Sequence, residues 1–118
     1  LRAILMGVMV RPMTRFVYTR PVQAFAERHR AAGGRAVRYV LEAAPASSPI
    51  GVGHTVDVPL ILGTREAWTR TSLVPPESWP EVAARGRTVR RVWAAFARTG
   101  TVAVDVDARG CGMRFERD

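Results

Sequence analysis

Apolar residues recur at helical spacing in two stretches of this chain. At Thr19-Arg20-Pro21 threonine can cap a helix and proline suits a first turn; Val22, Phe25, Ala26 and His29 then follow at helical spacing until Gly33-Gly34 supplies a stop. The second stretch opens at Ser78, with Glu81 three residues on in a capping-box pattern and Pro80 in the first turn. It runs to about Thr99 with Val82, Val89, Val92, Trp93, Phe96 and Ala97 as an apolar stripe, and Gly100 ends it. Trp93 and Phe96 read as core anchors of this helix, and Gly86 weakens it midway. Strand-like alternation marks Ala36–Glu42, where Val37, Tyr39 and Leu41 alternate with Arg38 and Val40, and again Thr101–Val106 and Met113–Glu116, with Asp107–Gly110 a turn. Ala43–Gly53 is loop, rich in proline, serine and glycine. Asp57–Leu62 fits a short helical turn laying Val58, Ile61 and Leu62 on the core, and the prolines at 75, 76 and 80 break up Arg65–Pro80. Leu1–Met13, stopped by Pro12, reads as a buried helix or strand end, too short for periodicity to separate the two. No internal repeat is visible.

Composition adds bounds. The chain has 118 residues, one domain's worth, and its 47% hydrophobic and 24% charged residues suit a globular protein rather than a disordered tail. A net charge of +8 raises nucleic acid as a partner. All 18 basic residues are arginines, though, scattered along the sequence and not interleaved with aromatics as stacking platforms would be. The bias reads as a compositional habit, and no nucleic-acid partner is expected; a small basic nucleic-acid-binding module, favoured only by the charge, is a minor alternative. Cys111 is the sole cysteine, so no internal disulfide forms; it is a buried small hydrophobe or, less favoured, a pairing partner for a cysteine elsewhere. Leu1–Val10 falls short of the roughly 20 residues of a membrane span and lacks a convincing signal-peptide pattern, which slightly favours the cytoplasm; no membrane partner is expected. A start at leucine rather than methionine suggests a beginning further upstream.

The segment with the most chemical interest is Gly51–Gly63. It holds His54, one of 2 histidines, just after the loop, with Asp57 three residues on and an apolar run behind. Imidazole can take and return a proton near neutrality, and a side chain held between small residues is well presented for that work. A loop histidine with no task is the plainer alternative. His29, between Arg28 and Arg30, reads as a partly exposed helix histidine. In an open α/β sheet, functional groups gather beyond the carboxyl ends of strands, and His54 follows a helix, a strand and a loop in that manner.

Several segments together resemble type B carboxylesterases, the family of para-nitrobenzyl esterases and cholinesterases. Gly51, His54, Asp57, Leu60–Leu62 and Gly63 fill the places of that family's Gly-x-x-His segment, with Leu62 where phenylalanine is usual. Phe16–Tyr39 resembles its helix-then-strand lead-in, and Trp93-Ala94-Ala95-Phe96-Ala97-Arg98-Thr99-Gly100 its Trp-x-x-Phe-Ala-Arg-Thr-Gly signature. Arg109–Glu116, with Met113 and Phe115, resembles its closing strand. The proline that commonly follows the Thr-Gly pair and the tryptophan before the closing strand are missing.

The resemblance implies an α/β fold: residues 1–118 as a single partial domain, the C-terminal portion of an α/β-hydrolase fold. Its helices would pack on the edge strands of a mostly parallel sheet, incomplete without the remainder of the hydrolase domain upstream. It also implies a serine carboxylesterase acting on a small-molecule ester, with His54 as the catalytic base, Asp57 as a supporting carboxylate and no cofactor or metal. The nucleophile and triad acid fall on no residue of this chain, which lacks a Gly-x-Ser-x-Gly elbow. Ser47 and Ser48 sit in a loop that nothing strains into a nucleophile's turn. Alone, the chain is expected to be inactive and poorly stable. A non-catalytic remnant or interaction domain of the same fold is the alternative.

Overall fold

A computed structural model describes residues 9–42, 52–53, 55–102 and 108–116, in two units, Leu1–Arg38 and Tyr39–Asp118. In the first unit residues 9–14 are α-helical, a π-helical turn follows at Arg15–Thr19, and α1 spans Arg20–Ala31. A helix start at Thr19 is therefore too late. Thr19 is itself helical (φ −63°, ψ −52°) and its side chain caps nothing, while Pro12 lies inside the helix instead of stopping it. Residues 9–13 are exposed rather than buried. Pro21 accounts for the π turn: it offers no N–H to the Val17 carbonyl, and its ring presses on that group. A wider turn just before it, closed by the Arg20 N–H on the Arg15 carbonyl, relieves the crowding.

The glycine pair ends α1 as expected. Gly33 takes φ +85°, and the Gly34 N–H bonds the His29 carbonyl at 2.9 Å. Arg30 Nε then donates to the Ala36 carbonyl at 3.1 Å, folding the chain back over the helix end. Ala26 is the buried residue of α1.

In the second unit, β1 (Arg38–Leu41) pairs with β2 (Met113–Glu116), both where alternation placed strands. Between them come α2 (Val58–Ile61), α3 (Arg65–Trp68), a 3-10 turn at Pro76–Ser78, α4 (Trp79–Thr99) and α5 (Ala108–Cys111). The expectation of a mostly parallel sheet with helices packed on its edge strands is overturned: the described residues are mostly helical, with a two-stranded antiparallel sheet. Cross-strand partners explain the pairing. Glu42 N–H bonds the Gly112 carbonyl at 2.7 Å, Tyr39 meets Phe115 edge-on at 6.4 Å, and Arg114 pairs with Glu42. Antiparallel pairing sets Glu42 opposite Gly112 and Tyr39 opposite Phe115, with Arg114 on the diagonal from Glu42. Thr101 and Val102 lie outside any strand, and the rest of the alternating stretch Thr101–Val106 falls outside the described residues.

The core joins Leu60, Val74, Val82, Val89, Val92, Cys111 and Met113, with Tyr39, Leu41, Ile61, Trp68 and Phe115 packed against it. Cys111, 1% exposed, behaves as the small hydrophobe expected. Helix α4 buries Val82, Gly86, Val89 and Val92, and Gly100 closes it in the left-handed conformation (φ 68°), its N–H on the Phe96 carbonyl at 2.7 Å. Trp93 is 48% exposed and so no core anchor, although at about 100° per residue it falls on the same arc as the buried Val82, Gly86 and Val89; it meets Tyr39 edge-on instead. The capping box does not form. Ser78 is already helical after the 3-10 turn, its side chain makes no cap bond, and Glu81 turns to Arg85 at 2.6 Å.

Candidate functional site

His54 lies outside the described residues. Its chain neighbours are described. Thr55, directly after it, adopts φ 70°, a left-handed backbone that a β-branched side chain tolerates poorly. The Thr55 carbonyl accepts the Val58 N–H at 3.1 Å, and the Asp57 carbonyl accepts those of Leu60 and Ile61 at 3.0 and 3.2 Å. These bonds turn the chain at once into α2, the helical turn expected at Asp57–Leu62. The buried members of that turn are Pro59 and Leu60. Leu62 is 63% exposed because the backbone is already extended there (φ −123°, ψ 147°), which points it away from the core.

Two distant side chains hold this segment. Arg90 Nη1, from α4, donates to the Leu60 carbonyl at 2.8 Å, one of the carbonyls that a short helix leaves without a partner. Trp68 Nε1 donates to the Leu62 carbonyl at 2.7 Å. Both contacts need glycine. A Cβ on Gly86 would stand 2.7 Å from the Leu60 carbonyl oxygen, and one on Gly63 (φ +98°) would stand 2.1 Å from Trp68 Nε1. Gly86 thus marks the close approach of α2 to α4, not merely a weak point in a helix. A mid-helix glycine was the legible signal of that approach; Arg90 and Trp68 carried no signal of their own.

Asp57 is half-buried. Its charge acts on Tyr39, whose phenol pKa is pushed up chiefly by burial, pulled down by a hydrogen bond from Trp93, and raised again by the Asp57 carboxylate. Tyr39 also meets Trp93 edge-on at 6.4 Å. Aromatic packing, an indole donor and a carboxylate therefore converge beside the turn that follows His54.

The other histidine has a structural place. His29 stacks on Phe25 (centroids 6.0 Å, planes 5° apart), and a Cβ on Gly34 would fall 2.2 Å from its Nε2. Among the described residues no group of His, Cys, Asp and Glu could hold a metal ion, and no helix is long and apolar enough to cross a membrane. Arginines that look scattered in sequence do share one helix face: Arg87, Arg91 and Arg98 line an open groove of about 1180 Å³ along α4.

Comparison with known proteins adds one likeness. A curated protein of Rhodococcus erythropolis, the probable N-octanoylanthranilate hydrolase AqdA2, is 33% identical to this chain over 98 residues. The chain resembles part of a hydrolase. The match takes in 83% of this chain and 22% of that protein, so the chain spans about a fifth of its relative's length. No family model matches the chain, and no solved structure matches it.

Proposed function

We propose that this chain is the histidine-bearing segment of a serine hydrolase that cleaves carboxylic esters, with the nucleophile and triad acid contributed by another part of a longer polypeptide. The observation that carries the reading is the likeness to a hydrolase over 83% of the chain. The family resemblance of Gly51–Gly63 adds the role of His54. In this mechanism His54 takes the proton of a serine hydroxyl as the oxygen attacks the ester carbonyl. It returns that proton to the leaving alcohol as the acyl–oxygen bond breaks, and then repeats both steps with water. Asp57 supports the histidine from the turn that Arg90 and Trp68 hold in place.

The relative's name joins an octanoyl group to the nitrogen of anthranilate, an amide linkage. The decisive assay therefore offers the native polypeptide both a para-nitrophenyl ester and an N-octanoyl anilide. Ester turnover that His54→Ala lowers on the order of 10⁴-fold or more is expected, since a triad histidine acts together with its serine. Asp57→Asn should cost much less. The 118-residue chain alone should turn over neither compound, for want of a nucleophile. His54-dependent turnover by this chain alone, or a native polypeptide indifferent to His54→Ala, would sink the reading; the second result would leave a non-catalytic role.

A further inference from the structure

The helical stretch from residue 9 to Ala31 carries a set of exposed large apolar side chains. Met9 and Phe25 are 67% and 65% exposed, and Val10, Met13, Phe16, Val17 and Val22 are exposed as well. Met9, Met13, Phe16 and Val17 follow the i, i+4, i+7, i+8 spacing of one helix stripe. Phe16 has the Arg20 guanidinium over its ring, 4.8 Å from the centroid, and still stands 61% exposed. A phenylalanine alone brings roughly 150 Å² or more of surface, and monomeric proteins rarely expose a contiguous apolar patch beyond a few hundred Å². A lone helix of this length is also marginal in water, and two prolines weaken it further; such helices persist by packing an apolar face.

We infer that this stripe is an interior surface, seated against the further part of the same polypeptide. The occupant is the counterpart of the more than three quarters of the hydrolase relative that this chain does not span. The inference rests on the reading of the chain as a segment of a longer hydrolase. It adds which surface of the segment is closed by the remainder: the Met9–Phe25 stripe. The apolar side chains specify an apolar partner surface, and Arg11, Arg15 and Arg20, interspersed among them, leave charge at its border.

Methionine oxidation tests this directly, because Met9 and Met13 lie on the stripe while Met113, 3% exposed, reports the core of the second unit. Dilute peroxide is applied to the 118-residue chain and to the native polypeptide from its source, and each site is followed by peptide mass spectrometry. In the 118-residue chain Met9 and Met13 should oxidise at the rate of a free methionine, with Met113 slow. In a native polypeptide heavier than 13.0 kDa they should slow by about 10-fold or more, toward Met113. Fast oxidation of Met9 and Met13 in that heavier species overturns the inference, as does a native species of 13.0 kDa. Protection already present in the 118-residue chain, by its second unit, a second copy or added lipid vesicles, overturns it too. If Met113 proves fast in the short chain, Met9 and Met13 are compared with Met113 in the native polypeptide alone, where equally slow rates are expected. Protection without ester turnover would sink only the proposed activity, and turnover without protection only this inference.

Discussion

The two units of this chain solve the problem of burying apolar surface in opposite ways. In Tyr39–Asp118, elements far apart in sequence close on one another: α2 lies on α4 at Gly86, β2 pairs with β1, and valines from α4 meet Leu60, Cys111 and Met113. In Leu1–Arg38 residues 9–31 form one continuous helical run whose large apolar side chains are exposed, with Ala26 the buried residue of α1. Helical backbone satisfies its own hydrogen bonds in either case. What differs is the partner for the side chains, and burial is what makes a helix durable. Local pattern alone is thus no guide to where a core lies: Phe25 and Val82 both sit on helical apolar stripes, and only Val82 is covered.

That contrast can be broken by substitution. Leu60→Ala, which empties the centre of the second unit, should lower its stability by about 2–5 kcal/mol in urea titration followed by tryptophan fluorescence. Phe25→Ala in the same 118-residue chain should shift that transition by less than about 0.5 kcal/mol. Equal shifts would mean that the two units share one core.

A sharper test is Gly86→Ala. Helix propensity favours alanine by about 1 kcal/mol, but the new methyl would meet the Leu60 carbonyl and the Arg90 guanidinium. Overpacking of this kind costs about 1–3 kcal/mol, so a net loss of stability is expected; a gain would show that α2 does not approach α4 so closely.

The smallest expected effect concerns Tyr39. Burial, opposed by the Trp93 hydrogen bond and reinforced by Asp57, holds its phenol above the ordinary 10.0 in the folded chain. The unfolded chain therefore ionises first as the pH rises. The stabilisation is whole below about pH 10 and is lost as the pH climbs through the folded value. Tyr39→Phe should flatten that alkaline limb of stability in denaturant titrations across pH. An unchanged limb would show that Tyr39 is not the group responsible.

Much of the second unit was legible residue by residue. The alternation of Tyr39 and Leu41, the Met113–Glu116 strand, the helix to Thr99 and its Gly100 stop are local signals, each governed by backbone conformation within a few residues. The failures share a cause. Ser78 and Thr19 look like caps in isolation, but the preceding residues are themselves helical, so neither side chain meets an orphan N–H. Leu62 is apolar, yet its place at the helix exit turns it outward, and Trp93, on the same arc as the buried Val82 and Gly86, is 48% exposed where its pattern predicts burial. For the candidate site, Asp57 could be placed at the mouth of α2 from sequence, whereas its influence on Tyr39 depended on β1 coming alongside.

By itself, then, the sequence determined where helices and strands form and which small residues end them, because φ/ψ preference and apolar period act over one or two turns. Tertiary structure alone decided that the two strands run antiparallel and that Gly86 admits a passing carbonyl. It decided also that Arg90 and Trp68 fasten the turn after His54, and that the stripe from Met9 to Phe25 faces outward. Each of these depends on which distant surface arrives opposite a residue, and packing at van der Waals range is invisible to any pattern read along the chain.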